Sequence, residues 1–166
     1  MPKQKTVERA RRAKRAGKAA TTQAGEFVRD EIRKIRRGEH GARSPEQAIA
    51  IGLSEARRAG VALPPPRKGK AKKTTRKSAE YAYEVGQHQR KPKHQPRVAR
   101  AVSDVMKKEP RDTASREALS RHAKQAASRR KTSKRAAAAK KADAKRSVRP
   151  SSALRTAQRT RKRRGA

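Results

Sequence analysis

The 166-residue chain has no cysteine, no tryptophan and no asparagine, and its aromatic residues are limited to Phe27, Tyr81 and Tyr83. The absence of cysteine rules out a disulfide framework, a thiolate metal site and a cysteine nucleophile. Without asparagine, one of the side chains that read adenine in the major groove is missing. With so few aromatics, the stacking platforms that usually hold single-stranded nucleic acid are missing too. No apolar run approaches a signal-peptide core or a membrane span, and Met1-Pro2-Lys3-Gln4-Lys5 is followed by no hydrophobic stretch. The chain is therefore expected to stay in the compartment where it is made, or to enter a nucleus through its basic clusters.

What the chain has in excess is positive charge. Lys and Arg number 50 against 14 Asp and Glu, a formal charge of +36. The apolar fraction is 31%, much of it Ala, which adds little area to a core. Low hydrophobicity with high net charge marks a chain that cannot offset its ordering entropy by burial, and self-repulsion opposes compaction further. A polyanion would relieve both. A membrane-surface helix needs bulky apolar residues opposite its basic face, and the most basic stretch here carries Ala in those places. Nucleic acid is the expected partner, duplex DNA ahead of RNA, with a membrane disfavoured.

Along the chain, residues 1–24 read as a basic arm without an apolar face. Residues 25–63 read as a helical hairpin. Val28, Ile32 and Ile35 share one helical face, and Gly38 is a natural stop. Ser44 as N-cap, Pro45 at the first helical position and Gln47 closing a capping box start a second helix. This helix carries Ile49, Leu53 and Ala56 on one stripe and is expected to end at Gly60, with Val61 and Leu63 folding back on the last turn. Six core residues follow: Val28, Ile32, Ile35, Ile49, Leu53 and Ala56. A unit of about 40 residues is near the lower limit for independent folding, so burial of Ile32, Ile35, Ile49 and Leu53 in a homodimer is an expected alternative to a lone hairpin.

Residues 64–97 read as a Pro-rich basic linker with at most a helical turn near 78–84. Residues 97–109 read as a short amphipathic helix, with Val98, Ala101, Val102, Val105 and Met106 on one side and Pro110 as its stop. Residues 110–146 form a basic, Ala-rich, helix-prone segment starting at Asp112 or Ser115, and 147–166 a disordered basic tail. Charge is biased toward the C-terminal side: residues 1–66 carry +9 and residues 67–166 carry +27. The expected fold class is mostly α with extensive disorder, a small hairpin flanked by basic arms and a long helix-prone segment.

The run Ser44-Pro45-Glu46-Gln47-Ala48-Ile49-Ala50-Ile51-Gly52-Leu53-Ser54-Glu55-Ala56-Arg57-Arg58-Ala59-Gly60 resembles the core of small basic bacterial proteins of unknown function. Residues 118–166 are similar in composition to the Lys/Ala-rich tails of linker histones and of bacterial histone-like nucleoid proteins, although here Arg is as prominent as Lys and Pro is sparse. Together these resemblances imply a cytoplasmic, nucleoid-associated protein, or a nuclear one in a eukaryote.

The candidate phosphate-binding residues fall into four groups. The N-terminal arm supplies Arg9, Arg11, Arg12, Lys14, Arg15 and Lys18, and the linker supplies Arg67, Lys68, Lys70, Lys72 and Lys73. The Ala-rich segment supplies Arg121, Lys124, Arg129, Arg130, Lys131, Lys134, Arg135, Lys140, Lys141, Lys145 and Arg146. The tail ends in Arg161, Lys162, Arg163 and Arg164. Each cation that meets a phosphate releases condensed counterion, which binds without reading sequence. Base readout requires side chains fixed on a rigid element in a groove, and these cations lie mostly on segments expected to be flexible.

No catalytic residues, cofactor or metal site are expected. The histidines are His40, His88, His94 and His122, and Glu84 with His88 is the nearest approach to a metal pair. Gly69-Lys70 lacks the upstream Gly and following Ser/Thr of a phosphate-binding loop. The alternative functions are an RNA- or ribosome-associated protein, and a protein-interaction module in which the hairpin binds a partner and the basic segments are accessory.

Overall fold

The computed structural model describes residues 3–93 and 95–147. It is helical, with α1 (Gln4–Arg15), α2 (Ala20–Arg36), α3 (Pro45–Arg58), α4 (Lys73–Gly86), α5 (Pro96–Lys108), a 3₁₀ turn (Asp112–Ala114) and α6 (Arg116–Ser147). There is no β-strand among the described residues. The chain divides into two compact units, Met1–His122 and Ala123–Ala166.

The expected hairpin is present as α2 and α3, but α2 begins at Ala20, ahead of the expected start near Glu26. The residues before it are a packed helix rather than an arm without an apolar face. In α1, Thr6 and Ala10 are buried, and Ala10 joins Ala24, Phe27, Ala56 and Val61 in one core cluster. Apart from Val7, the face that packs is built from small side chains, which allow close backbone approach and do not register as a hydrophobic stripe. A second cluster joins Ile35, Ala42, Ala48 and Ala114, with Ile32 packed against it.

Three helix ends share one device. Gly17, Gly38 and Gly60 take φ of 68°, 78° and 87°, a region glycine enters without steric cost. At Gly60 the Val61 N–H donates to Ala56 O at 3.1 Å and the Gly60 N–H to Arg57 O at 3.0 Å, and the same pair of bonds closes α1 and α2. The start of α3 is capped as expected, with the Gln47 N–H donating to Ser44 Oγ at 3.3 Å. The reciprocal bond differs: Gln47 Oε1 accepts from the Arg43 N–H, one residue ahead of the cap.

The core also departs from expectation. Ile35 and Ala56 are fully buried, whereas Val28, Ile32, Ile49 and Leu53 are half-buried. The shortage of core in the isolated hairpin is met from within the chain. Val7 of α1 packs on the first cluster. Ala114 of the 3₁₀ turn fills the second and is held there by Arg36 Nε donating to its carbonyl at 2.8 Å. Thr113 Oγ1 donates to Ala42 O at 2.8 Å, and the Gly41 N–H to Met106 O at 2.8 Å.

Residues 73–86 are a second departure, because the expected linker holds the fourteen-residue helix α4 packed against α3. Close approach makes this contact: a Cβ on Gly86 would collide with the Arg57 carbonyl oxygen. Gly52 does the same for α2 and α3, where a Cβ would lie 2.7 Å from Val28 Cα. Arg57 is itself buried, and its guanidinium donates to Leu63 O at 3.1 Å and Pro64 O at 3.4 Å, fixing the chain that leaves α3.

In the second unit the described residues continue α6 to Ser147. The start of α6 matches the later of the two expected sites. Ser115 is the cap, its Oγ accepting from the Ala118 N–H at 3.1 Å.

Candidate nucleic-acid interface

The expected phosphate-binding residues lie on ordered elements to a larger extent than their composition suggests. Arg9, Arg11, Arg12, Lys14 and Arg15 stand on α1, Lys18 follows it, and all are exposed. Thr6, Ala10 and half-buried Ala13 face the bundle, so by helical geometry Arg12 and Arg15 lie on the opposite side and Arg9 on the flank of the packed face. Arg9 is engaged internally, with Nε 3.1 Å from Glu26. Arg67, Lys68 and Lys70 surround a turn closed by the Lys70 N–H donating to Arg67 O at 3.0 Å. Lys72 and Lys73 sit at the N-terminus of α4, which has no acidic residue in its first turn. The helix dipole already places about half a positive charge there, so these lysines concentrate positive potential where it costs helix stability.

On α6, Arg121, Lys124, Arg129, Arg130, Lys131 and Arg135 are all exposed and in no ion pair among the described residues. The helix backbone also carries positions Lys134, Lys140, Lys141, Lys145 and Arg146. Arg161, Lys162, Arg163 and Arg164 lie outside the described residues. Twelve Lys and Arg occupy the 32 residues of α6, distributed around the helix. At about 1.5 Å per residue this is one charge per ~4 Å, against one phosphate per ~1.7 Å of duplex axis.

The acids are arranged differently, and the sequence did not single them out. Glu31 is completely buried, and Lys34 Nζ bridges it at 3.2 Å to Glu55 at 3.1 Å. His40 Nε2 lies 3.3 Å from Glu31 Oε1, close enough for charge pairing but out of line for a hydrogen bond, which leaves that oxygen unsatisfied. Burial raises the Glu31 pKa above the ordinary carboxylate range, against the pull of Lys34. For Lys34, burial alone would lower the pKa, but hydrogen bonding and attraction from Glu55 and Glu31 together raise it. A Glu and a Lys three apart on a helix, with a further Glu on its neighbour, is a pattern too common to mark a buried cluster in advance.

The histidines do not form a metal site among the described residues, and His94 lies outside them. His40 faces Glu31, and His122 Nδ1 lies 2.8 Å from Glu46 Oε1. His88 ends α4 at φ 59°, in the conformation glycine occupies at the other helix ends, while Glu84 pairs with Arg90 at 3.0 Å. No described helix is long and apolar enough to cross a membrane.

The arrangement defines a class: a small-residue helical bundle clad in cations, and a second unit whose described part is basic helix. Residues 3–68, about two fifths of the chain, match the family model DUF6496, described as a family of unknown function. The matched span takes in α1, α2 and α3, the part of the bundle that shares the Phe27 core. No curated protein and no solved structure matches the chain.

Proposed function

We propose that the protein binds nucleic acid, duplex DNA in particular, by neutralising phosphates without reading sequence, and that it compacts the DNA it binds as a nucleoid-associated, histone-like protein. The observation that carries this reading is the set of exposed cations Arg121, Lys124, Arg129, Arg130, Lys131 and Arg135, in a segment where residues 118–166 hold 18 Lys or Arg and only Asp143 as an acid. Cations around a whole helix suit a groove, where phosphates line both walls. A helix about 10–12 Å across fits the major groove of B-DNA, about 12 Å wide, whereas the major groove of duplex RNA is too narrow to admit it. The exposed faces of α1 and the N-terminus of α4 supply further phosphate contacts. Catalysis has no place in this reading.

Affinity for random-sequence duplex DNA and for single-stranded RNA, measured across a salt series, tests it. Contact of six α6 cations with phosphates gives a log–log salt slope of about −5. A slope near zero removes the phosphate mechanism. Binding of RNA as tight as that of duplex DNA replaces this reading with an RNA- or ribosome-associated one.

A further inference from the structure

Helix α5 is amphipathic, yet none of its residues is buried. Val98, Val102 and Val105 lie at i, i+4 and i+7 and are 55%, 51% and 58% exposed. Arg97, Arg100, Lys107 and Lys108 occupy the rest of the circumference. The helix is tethered at both ends: Met106 O accepts from the Gly41 N–H at 2.8 Å, and the Lys93 N–H donates to Tyr81 Oη at 2.7 Å. Between these tethers α5 stands off the bundle, leaving a half-open cleft of about 1050 Å³. Val98, Val102 and Met106 line one side of it, and Val7 and Ala59 belong to the bundle side.

The charges lining this cleft are unequal in availability. Its two carboxylates are already paired, Glu39 with Arg37 at 2.8 Å and Glu55 with Lys34 at 3.1 Å. Its cations Arg11, Arg58 and Lys93 are exposed and in no ion pair among the described residues. An occupant must therefore be apolar on one side and acidic on another.

We propose that this cleft docks an acidic amphipathic helix of a protein partner, its apolar stripe on the α5 valines and its carboxylates on Arg11, Arg58 and Lys93. The cleft lies at the upper end of the usual range of small-molecule pockets, about 300–1,000 Å³. The valine stripe runs on to Val105, which does not line the cleft, over roughly 10 Å of helix axis. Both features fit an elongated occupant laid along a groove. A second copy of this chain brings the same cations and is repelled. A membrane would need the valines on an outward face, whereas Val98 and Val102 look across the cleft toward the bundle. The valine stripe takes no part in DNA binding, and of the cleft's cations only Arg11 is also a candidate phosphate-binding residue.

The test uses the full chain and two synthetic peptides of one composition, one with Leu at i, i+4 and i+7 and Glu elsewhere, the other permuted so that no apolar face forms. In salt high enough to screen exposed charges, the patterned peptide should bind about tenfold more tightly, the order expected from covering two half-exposed valines. Val98→Ser/Val102→Ser should abolish the difference while leaving helicity by circular dichroism unchanged. Equal binding of both peptides, or undiminished preference in the double variant, overturns the proposal. So does valine-dependent binding to anionic phosphatidylserine vesicles with no peptide preference, which would assign the stripe to a membrane surface.

Discussion

The two units are written in the same alphabet of Ala, Arg and Lys, yet among the described residues only the first makes a tertiary core. Residues 1–122 hold thirteen of the fourteen acids for a net +20, and residues 123–166 hold one acid for a net +16 in about a third of the length. The first unit sets two of its acids, Glu31 and Glu55, on the buried cation Lys34, and places glycines where helices cross, as at Gly52 and Gly86. The second has neither device in its described part, where Lys124, Arg129, Arg130, Lys131 and Arg135 are exposed. Charge that a fold must tolerate is thus separated from charge available to a partner. The difference lies in the placement of a few acids and glycines rather than in hydrophobicity.

The sharpest way to break this comparison is to remove its second member. Truncation after His122 should lower duplex DNA affinity at low salt by about a thousandfold, with cooperative unfolding of the first unit unchanged. If affinity survives, α1 and the N-terminus of α4 are the interface and the two regions have been assigned the wrong way round.

Lys34→Met addresses the first unit. It leaves Glu31 buried without its main counter-charge and should cost about 3–5 kcal/mol in denaturant unfolding, with no change in DNA affinity for the folded protein. The same cluster sets a pH dependence. The raised Lys34 pKa means its contribution is complete below the ordinary lysine value of 10.5 and is lost as pH climbs through the folded value. Glu31 also holds its proton more tightly when folded, so stability falls as pH rises past the ordinary 4.5 toward its folded value. The alkaline loss attributable to Lys34 should be absent in Lys34→Met.

Gly86→Ala is a smaller perturbation whose sign is informative. On an isolated helix the substitution stabilises by about 1 kcal/mol, but here the Cβ meets the Arg57 carbonyl and should destabilise by about 1–3 kcal/mol. A gain in melting temperature would show that α4 does not pack on α3. His88→Gly should act in the opposite direction, relieving the positive φ at the end of α4 for a gain of up to about 1 kcal/mol in thermal unfolding.

Much of this architecture is legible in sequence. The Ser44-Pro45 start, the stops at Gly38 and Gly60 and the amphipathic residues of α5 each follow from local chemistry that needs no distant partner. The start of α6 is legible only as a choice between Asp112 and Ser115, which the Ser115 cap resolves. The missed parts share a different logic. The packed face of α1 is Thr6, Ala10 and half-buried Ala13, with Val7 its one larger apolar residue, too little to appear as a stripe although Gly17 was a readable stop. The α4 interface rests on Ala79, Ala82 and Gly86, which look like linker composition until a neighbouring backbone approaches them.

For the candidate interface, sequence alone determined the amount of positive charge and its bias toward the C-terminal side, because net charge is a property of composition. It also determined the chain's helical character, because Ala, Arg and Lys favour helix wherever Gly and Pro do not interrupt. Only the tertiary structure decided which charges are spent internally and which stay exposed. Glu31 and Lys34 become buried partners, and Arg57 becomes a clamp on the chain leaving α3. The physical reason is that burial and pairing depend on distances between segments far apart in sequence, and small side chains permit those distances without announcing them.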